Sequence, residues 1–348
     1  MKVAFEATVL ELDRAGTARA VRGLRAALAA RGDLDVVEVA HPPHGGPRVV
    51  RGIDREVRWF WLGLPRAVRR LRAELLHLPV AVGPWRAPVP LVVTVHDVLA
   101  LDHPEWFSRA NALQQRLSLR RLTRAARRIL VPSRHTAERL EKVSGVDPER
   151  IRVVPWGVGA PFRPGAPDSA ALQRLGVQAP YVLAVGTLQP RKGLHELVEA
   201  VEALGGEHRL VVAGARGWRD DAIAAGLRGR ATLPGRVDDA DLVALMRGAD
   251  VLVHAARHEG FGFPPLEAMA CGTPVVAYRA SSLPEVVGDA GELATPVPGA
   301  LRDALRRVLD DPARQAELRE RGLARAAELT WKRCAELTAA AYREALDG

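Results

Sequence analysis

Short apolar runs alternate with amphipathic segments along the whole chain of 348 residues. Runs such as 3–5 and 91–93 are apolar without interruption, as in strands that are buried on both faces of a sheet. Between them apolar residues recur at helical spacing, as Val21, Leu24 and Leu28 do in a helix predicted over 17–31. Strands that alternate with helices predict an α/β chain with parallel, doubly wound sheets.

The alternation is interrupted once, at a stretch rich in Pro, Gly and Ala over 155–180, which we interpret as a linker. It resumes with a strand at Tyr181–Val185. The predicted domains are therefore 1–163 and 164–330, followed by a final helix over 331–348. Two doubly wound domains would place a ligand cleft between them, at the carboxyl ends of their strands.

Local spacing predicts several further elements. A helix is predicted over 65–76, with Val68, Leu71 and Leu75 on its apolar face. The Pro- and Gly-rich residues 41–52 predict a mobile loop, and the chain from 301 to its end is predicted to be helical.

Composition excludes several classes of protein. With 48% hydrophobic and 26% charged residues the chain is not disordered, and two cysteines cannot form a disulfide framework or a metal cluster. No apolar run reaches the length of a membrane span, and the start of the chain does not resemble a signal peptide. We expect a cytoplasmic protein.

The net charge of +9 comes from the first half of the chain. Residues 1–165 carry 28 Lys and Arg against 16 Asp and Glu, and residues 166–348 carry 22 against 25. Two predicted helices concentrate arginines, the second of them opposite Leu113, Leu117 and Leu122: Arg66, Arg69, Arg70 and Arg72, then Arg116, Arg120, Arg124 and Arg127. They form either solvated helix faces or a surface for an anionic membrane. Nucleic acid is not expected, because aromatic residues do not interleave with the basic runs.

A turn rich in glycine and proline over 258–274 is the most informative segment. Gly260 and Gly262 follow the strand Val251–His254 and precede a short predicted helix. Backbone amides at Phe261, Gly262 and Phe263 would point outward toward anions or sugar hydroxyls, with the positive end of the helix behind them. Glu259 and Glu267 could bind two parts of one polar ligand. The spacing equally fits a helix-capping glutamate and an unrelated surface glutamate.

Three other positions carry candidate chemistry. Arg191 and Lys192 close a turn over 186–193 that suits a diphosphate, or that is a solvated basic turn. His96 follows the strand predicted over 91–95, where it is either a ligand-contacting or a structural residue. Gly16 opens the first helix and could let the backbone approach a phosphate or a sugar.

Together these segments resemble glycosyltransferase family 4, retaining enzymes of the GT-B fold, over nearly the whole chain. Glu259 and Glu267 look like the Glu-x7-Glu block of that family, and residues 186–193 resemble its donor-phosphate loop in bacterial mannosyltransferases. Trp331 resembles the start of the helix that crosses back to the first domain. The expected architecture is two Rossmann-like domains that face each other across a cleft.

The resemblance implies a role for each candidate residue. Arg191 and Lys192 would bind the diphosphate of a nucleotide sugar, and Glu267 its ribose. Glu259 would bind the donor sugar, and His96 would reach it from the first domain. The remaining donor-side positions would be Gly16, Gly186, Thr187, Gly260, Phe261, Gly262 and Phe263. Thr187 and Trp156 depart from the family pattern, which commonly has Arg and Asn there.

The function implied is retaining transfer of a hexose, with mannose from GDP-mannose as the first choice. The acceptor would be a glycan, a lipid-linked sugar or a small molecule, in polysaccharide biosynthesis. Cations and a helix end would stabilise the leaving diphosphate, so no metal or further cofactor is expected. Alternatives are a GT-B epimerase, a phosphorylase-like enzyme or an inactive nucleotide-sugar-binding protein. A peripheral position at the inner face of an anionic membrane would bring a lipid-linked acceptor close.

Overall fold

Two parallel sheets of six strands each organise the chain in a computed structural model that describes residues 1–12, 15–41, 54–206, 208–217 and 220–348. The chain divides into two units. The first unit consists of Met1–Gly157 and Trp331–Gly348, and the second of Val158–Thr330. The first segment of the first unit therefore ends six residues before the boundary predicted at 163.

The first unit has the strand order β2-β1-β3-β4-β5-β6. Its strands are β1 (Lys2–Glu6), β2 (Asp35–Val39), β3 (Leu75–Leu78), β4 (Leu91–Thr94), β5 (Arg128–Val131) and β6 (Ile151–Val153). Its α-helices are Ala15–Ala29, Leu64–Leu71, Leu99–Asp102, Arg109–Ala125, Arg134–Ser144 and Trp331–Asp347. A π-helix spans Asp54–Gly63. Short 3₁₀ turns lie at Thr8–Leu12, Pro104–Trp106 and Pro148–Arg150.

The second unit has the strand order β12-β11-β10-β7-β8-β9. Its strands are β7 (Tyr181–Val185), β8 (Arg209–Ala213), β9 (Thr232–Gly235), β10 (Val251–His254), β11 (Val275–Tyr278) and β12 (Glu292–Ala294). Its α-helices are Ser169–Arg174, Leu194–Glu202, Asp221–Leu227, Asp239–Gly248, Phe263–Cys271, Leu283–Val287, Ala300–Leu309 and Pro312–Glu328. A 3₁₀ turn spans Pro190–Lys192.

Both strand orders contain one point where the winding of the chain reverses. The reversal lies between β1 and β3 in the first sheet and between β7 and β10 in the second. All strand pairs are parallel, so the predicted doubly wound α/β architecture is confirmed. In such sheets ligands bind outside the carboxyl ends of the strands at the reversal.

The last helix, Trp331–Asp347, belongs to the first unit, as the resemblance implied. Its first residue packs on the helix Ala15–Ala29 at Gly23, where a Cβ atom would lie 2.2 Å from the Trp331 ring. Near its end, the buried Tyr342 hydroxyl lies 2.6 Å from His77 Nδ1, and His77 Nε2 lies 2.8 Å from Thr94 Oγ1. Burial lowers the pKa of His77 to about 3, so the ring is neutral at pH 7.

Some predicted elements are wrong, each for a local reason. The helix predicted over 65–76 ends at Leu71, because Arg72 takes the left-handed conformation at φ 51°, and Leu75 begins β3. The region from 301 to the end, predicted to be helical, consists of three helices. The middle helix starts after Asp311, whose carboxylate accepts hydrogen bonds from two backbone amides. The predicted linker contains the helix Ser169–Arg174.

The prediction that the arginines of the helix Arg109–Ala125 lie opposite Leu113 and Leu117 is wrong, because residues three apart share a helix face. These two leucines are 57% and 60% exposed, whereas Leu122 is buried. The predicted loop over 41–52 lies, except for His41, outside the described residues. No helix among the described ranges is both long enough and apolar enough to cross a bilayer.

Replacing Tyr342 by Phe removes the hydroxyl that bonds to His77 and leaves the ring volume unchanged. We expect the free energy of unfolding to fall by about 1–3 kcal/mol, because a buried ring nitrogen of His77 loses its hydrogen-bond partner. Thr338→Val is the matched control on the same helix. The Thr338 hydroxyl is also buried but bonds only to Cys334 O, one turn away. Equal losses in urea unfolding of the two variants would contradict a stabilising His77–Tyr342 bond.

Candidate functional site

Two loops meet at the reversal of the second sheet. One leaves β7 at Gly186 and the other leaves β10 after His254. Gly193, at φ 65°, ends the first loop, and a Cβ atom there would lie 2.3 Å from Ala255 O, so only glycine allows this approach. Gly214, after β8, is equally close to the first loop, since its Cβ atom would lie 2.0 Å from Gly186 O. Backbone contact thus fixes the two loops against each other.

Glu259 lies at the centre of this region and has cationic or hydrogen-bonding partners on both carboxylate oxygens. Lys192 Nζ contacts Oε1, and His254 Nε2 lies 3.1 Å from the same oxygen. Arg191 Nη1 lies 3.5 Å from Oε2. The Lys192 and Glu259 side chains are only 12% and 13% exposed. The alternative of a solvated basic turn at Lys192 is therefore wrong.

The charges in this cluster depend on one another. Burial opposes ionisation of Glu259, but Lys192, His254 and Arg191 together hold the pKa of its carboxyl well below the usual range. Burial lowers the pKa of Lys192 and of His254, while Glu259 opposes both shifts. A neutral His254 donates from Nε2 to the carboxylate. The stabilisation that this carboxylate provides is present at neutral pH and is lost as acid protonates it.

A second layer of polar contacts fixes the turn that carries Glu259. The Glu259 amide donates to Ser281 Oγ at 3.0 Å, and Ser282 Oγ donates to Phe261 O at 2.6 Å. Arg191 Nη1 donates to His258 O at 2.9 Å, which ties the turn to the first loop. Ser281 adopts φ 49°, an uncommon conformation for a residue with a side chain.

The helix Phe263–Cys271 starts directly behind this turn. Its N-cap is Gly262 at φ 118°, with no capping side chain, so the helix-capping alternative for Glu259 is wrong. Amides in the first turn of a helix have no acceptor within it and favour an anion. Glu267 lies one turn further on and is 2% exposed, which contradicts the alternative of a surface glutamate.

The first unit holds the other two predicted residues. His96 Nε2 donates to Pro79 O at 2.8 Å, and its ring lies 5.3 Å from that of the buried Trp156. Burial lowers the pKa of His96, so its ring is neutral with Nδ1 unprotonated. Gly16 is exposed in the helix Ala15–Ala29, where a Cβ atom would meet nothing within 4 Å. Packing therefore does not require glycine at that position.

Sequence reasoning assigned no role to four polar residues: His254, Ser281 and Ser282 in the second unit, and Glu6 in the first. Each ends or follows a buried parallel strand, which is the signal that could have identified them. Glu6 ends β1, is fully buried and accepts from Trp59 Nε1 at 3.2 Å and from Thr8 N at 3.1 Å. Within the described part of the chain, no three His, Cys, Asp or Glu side chains are arranged to hold a metal ion.

Comparison with known proteins finds relatives over most of the chain. Residues 7–160 match the family described as Glycosyltransferase Family 4, and residues 172–325 match Glycosyl transferases group 1. O-antigen chain mannosyltransferase B of Escherichia coli is 34% identical over 292 residues, which cover 80% of this chain and 76% of that protein. The chain belongs to glycosyltransferase family 4.

Two further comparisons agree with this family and its fold. A D-inositol 3-phosphate glycosyltransferase of Xylanimonas cellulosilytica is 33% identical over 287 residues, which cover 75% of this chain and 67% of that enzyme. The structure of sucrose-phosphate synthase from Thermosynechococcus elongatus matches with a TM-score of 0.79 at 23% identity, over 99% of this chain and 98% of that one. The predicted GT-B fold is confirmed.

The buried Lys192–Glu259 pair should couple more strongly than an exposed pair of the same unit. We expect Lys192→Met and Glu259→Gln to give a coupling free energy of about 1–3 kcal/mol in a double-mutant cycle of unfolding at neutral pH. Arg230 and Glu202, which are 41% and 49% exposed, serve as the control pair, for which we expect a clearly smaller coupling. Equal coupling in the two cycles would refute the buried charge cluster.

Proposed function

We propose that this glycosyltransferase moves a hexose, with mannose as first choice, from a nucleotide sugar to an acceptor with retention of configuration. The observation that carries the proposal is the pair of cations Arg191 and Lys192, held beside Glu259 at the reversal of the second sheet. A diphosphate bound at this reversal needs cations beside it. The sugar, attached to the diphosphate through its anomeric carbon, would bring its hydroxyls to the carboxylate of Glu259.

The charges of the loops suit the bond that breaks. Cleavage between the anomeric carbon and the phosphate oxygen leaves negative charge on the diphosphate and positive charge on the sugar. Arg191, Lys192 and the amino end of the helix Phe263–Cys271 would stabilise the leaving diphosphate. The ionised Glu259 would accept hydrogen bonds from hydroxyls of the donor sugar. Its present partners would then be shared with, or released to, the diphosphate.

The remaining assignments follow the family resemblance. Glu267 would bind the ribose, with Gly186, Thr187 and the residues 260–263 lining the donor. A neutral His96 would accept a hydrogen bond from a sugar hydroxyl at Nδ1, since Nε2 already donates to Pro79 O. Gly16 would allow the donor phosphate or the acceptor to approach the backbone. In same-face transfer the acceptor oxygen forms the new bond, and its proton passes to the leaving phosphate.

Two relatives support the choice of substrates. One is named as an O-antigen chain mannosyltransferase, which favours mannose and a glycan or lipid-linked acceptor in polysaccharide biosynthesis. The other is named as a glycosyltransferase of D-inositol 3-phosphate, which keeps small-molecule acceptors within the proposal. We place the reaction in the cytoplasm, at the inner face of an anionic membrane when the acceptor is lipid-linked. The arginine-rich first 165 residues support that location.

Nucleotide sugars should raise the melting temperature of the protein by mass action. A ligand at about 100 times its Kd adds about 2.7 kcal/mol to the free energy of unfolding. Among GDP-, UDP-, TDP- and ADP-sugars we expect GDP-mannose to give the largest rise. The rise should persist in EDTA, since Arg191 and Lys192 would neutralise the diphosphate without a metal. A melting temperature that no nucleotide sugar changes would contradict the proposal, and a larger response to another base would change the donor.

Lys192→Ala and Glu259→Ala should each lower turnover at least about tenfold, equivalent to about 1.4 kcal/mol of transition-state stabilisation. Lys142→Ala is the matched control, because Lys142 is an exposed lysine on the helix Arg134–Ser144. Sugar transfer from the donor identified by melting is the measurement. Unchanged turnover in both site variants would remove Lys192 and Glu259 from the mechanism.

A further inference from the structure

Exposed large apolar side chains concentrate in the first unit. Among the described residues seven large apolar side chains are exposed, and five of them belong to this unit. These five form what we call the Trp-Leu surface: Trp61, Leu62, Trp85, Leu113 and Leu117, with exposed fractions between 47% and 64%. The other two, Leu233 and Val297, lie apart from each other in the sequence of the second unit. Isolated apolar residues are normal on a protein surface, but contiguous ones mark an interaction site.

Ring contacts and helical spacing make this surface contiguous. The rings of Trp61 and Trp85 lie 6.0 Å apart. The guanidinium of Arg121 lies 5.2 Å from the Trp85 ring. Leu113, Leu117 and Arg121 are four residues apart on the helix Arg109–Ala125 and therefore lie on one face. The two leucines thus continue the surface from Arg121 along the same face of the helix.

The structure holds these side chains outward by contacts on their buried sides. Arg121 donates to Gly83 O at 2.9 Å and also to Pro84 O, so the residue before Trp85 is bonded to the helix. Ser118 Oγ donates to Ala81 O at 2.8 Å. In the π-helix Asp54–Gly63, Trp59 donates to Glu6 and Phe60 is buried. Trp61 and Leu62, which follow them, are exposed. Trp61 and Leu62 are therefore presented by a fixed segment.

Arginines flank the Trp-Leu surface on both sides. The helix Leu64–Leu71, which follows Leu62 directly, exposes Arg66, Arg69 and Arg70. The helix Arg109–Ala125 carries Arg116, Arg120 and Arg124 beside the two leucines. None of these six side chains forms an ion pair with an acidic residue in the described ranges. Many arginines of the second unit do so, among them Arg216, Arg230 and Arg314.

We propose that the Trp-Leu surface inserts into the headgroup region of an anionic bilayer while the flanking arginines bind lipid phosphates. Tryptophan favours that boundary because its ring is apolar and its N–H is polar, and leucine reaches the acyl chains beneath. Arginine adds attraction to anionic headgroups. A second copy of the chain is disfavoured as occupant, because the two arginine rims would repel each other.

This inference goes beyond a general attraction to membranes, since it names the residues that enter the lipid. It also differs from the donor chemistry, because lipid binding needs neither a nucleotide sugar nor turnover. An enzyme that transfers no sugar would still bind vesicles through this surface. Conversely, loss of vesicle binding would leave the response of the melting temperature to nucleotide sugars unchanged.

Co-sedimentation of the full chain with phosphatidylglycerol-containing vesicles tests the surface, with pure phosphatidylcholine vesicles as reference. We expect binding to the anionic vesicles at low salt, and a blue shift of tryptophan fluorescence. The variant Trp61→Ser/Trp85→Ser should lower the partition coefficient at least about tenfold and remove the blue shift. Arg116→Gln/Arg120→Gln should weaken binding and reduce its salt dependence.

Leu233→Ser/Val297→Ser is the matched control, because it removes two exposed large apolar side chains from the second unit. Its partition coefficient should equal that of the unaltered chain, and all variants should keep the same melting temperature. No binding to phosphatidylglycerol vesicles at low salt would overturn the proposal, as would full binding by the tryptophan variant. Concentration-dependent dimers that disappear in that variant would assign the surface to a second copy instead.

Discussion

One ionised carboxylate organises the loops of the second unit. Glu259 is largely buried, and a buried charge is tolerated only when cations and hydrogen-bond donors surround it. Meeting that requirement draws on two strands: Lys192 and Arg191 follow β7, and His254 ends β10. The Ser281 hydroxyl, after β11, accepts from the Glu259 amide and so fixes the backbone of the turn. In the proposed function Arg191 and Lys192 would also bind the diphosphate of the donor. Their ion pairs with Glu259 would then compete with, or be shared with, that diphosphate.

The residues with intrinsic chemistry could be predicted from the sequence, whereas their partners could not. Lys192 and Glu259 are identifiable because each is a charged residue in a glycine-bearing loop directly after an apolar run. Lys192 Nζ contacts Glu259 because β7 lies beside β10 in the sheet. In the sequence, 66 residues separate Lys192 from Glu259. No local pattern encodes that neighbour relation. His254 and Ser281 were overlooked for the same reason, since alone each resembles an ordinary polar residue at the end of a strand.

The errors in the predicted elements have a different origin, because a short apolar run fits the residue spacing of a helix as well as that of a strand. Val68, Leu71 and Leu75 fit a helix, but the chain turns at Arg72 and gives Leu75 to a strand. Leu113 and Leu117 also fit a buried helix face, yet the buried positions are Ala112, Leu119 and Leu122. Helical spacing identifies an apolar face without stating what covers it. The sheets were easier to predict, because strands buried on both faces have no polar side.

The first unit is discontinuous in the sequence, and this determines when it can be completed during synthesis. Its first 157 residues leave the ribosome before the second unit, and its last helix follows the 173 residues Val158–Thr330. At roughly 5–20 residues per second, the interval is about 9–35 s. Throughout it His77 lacks the Tyr342 hydroxyl, and the surface at Gly23 lacks the Trp331 ring. The complete sequence of the second unit is therefore available for folding before that of the first.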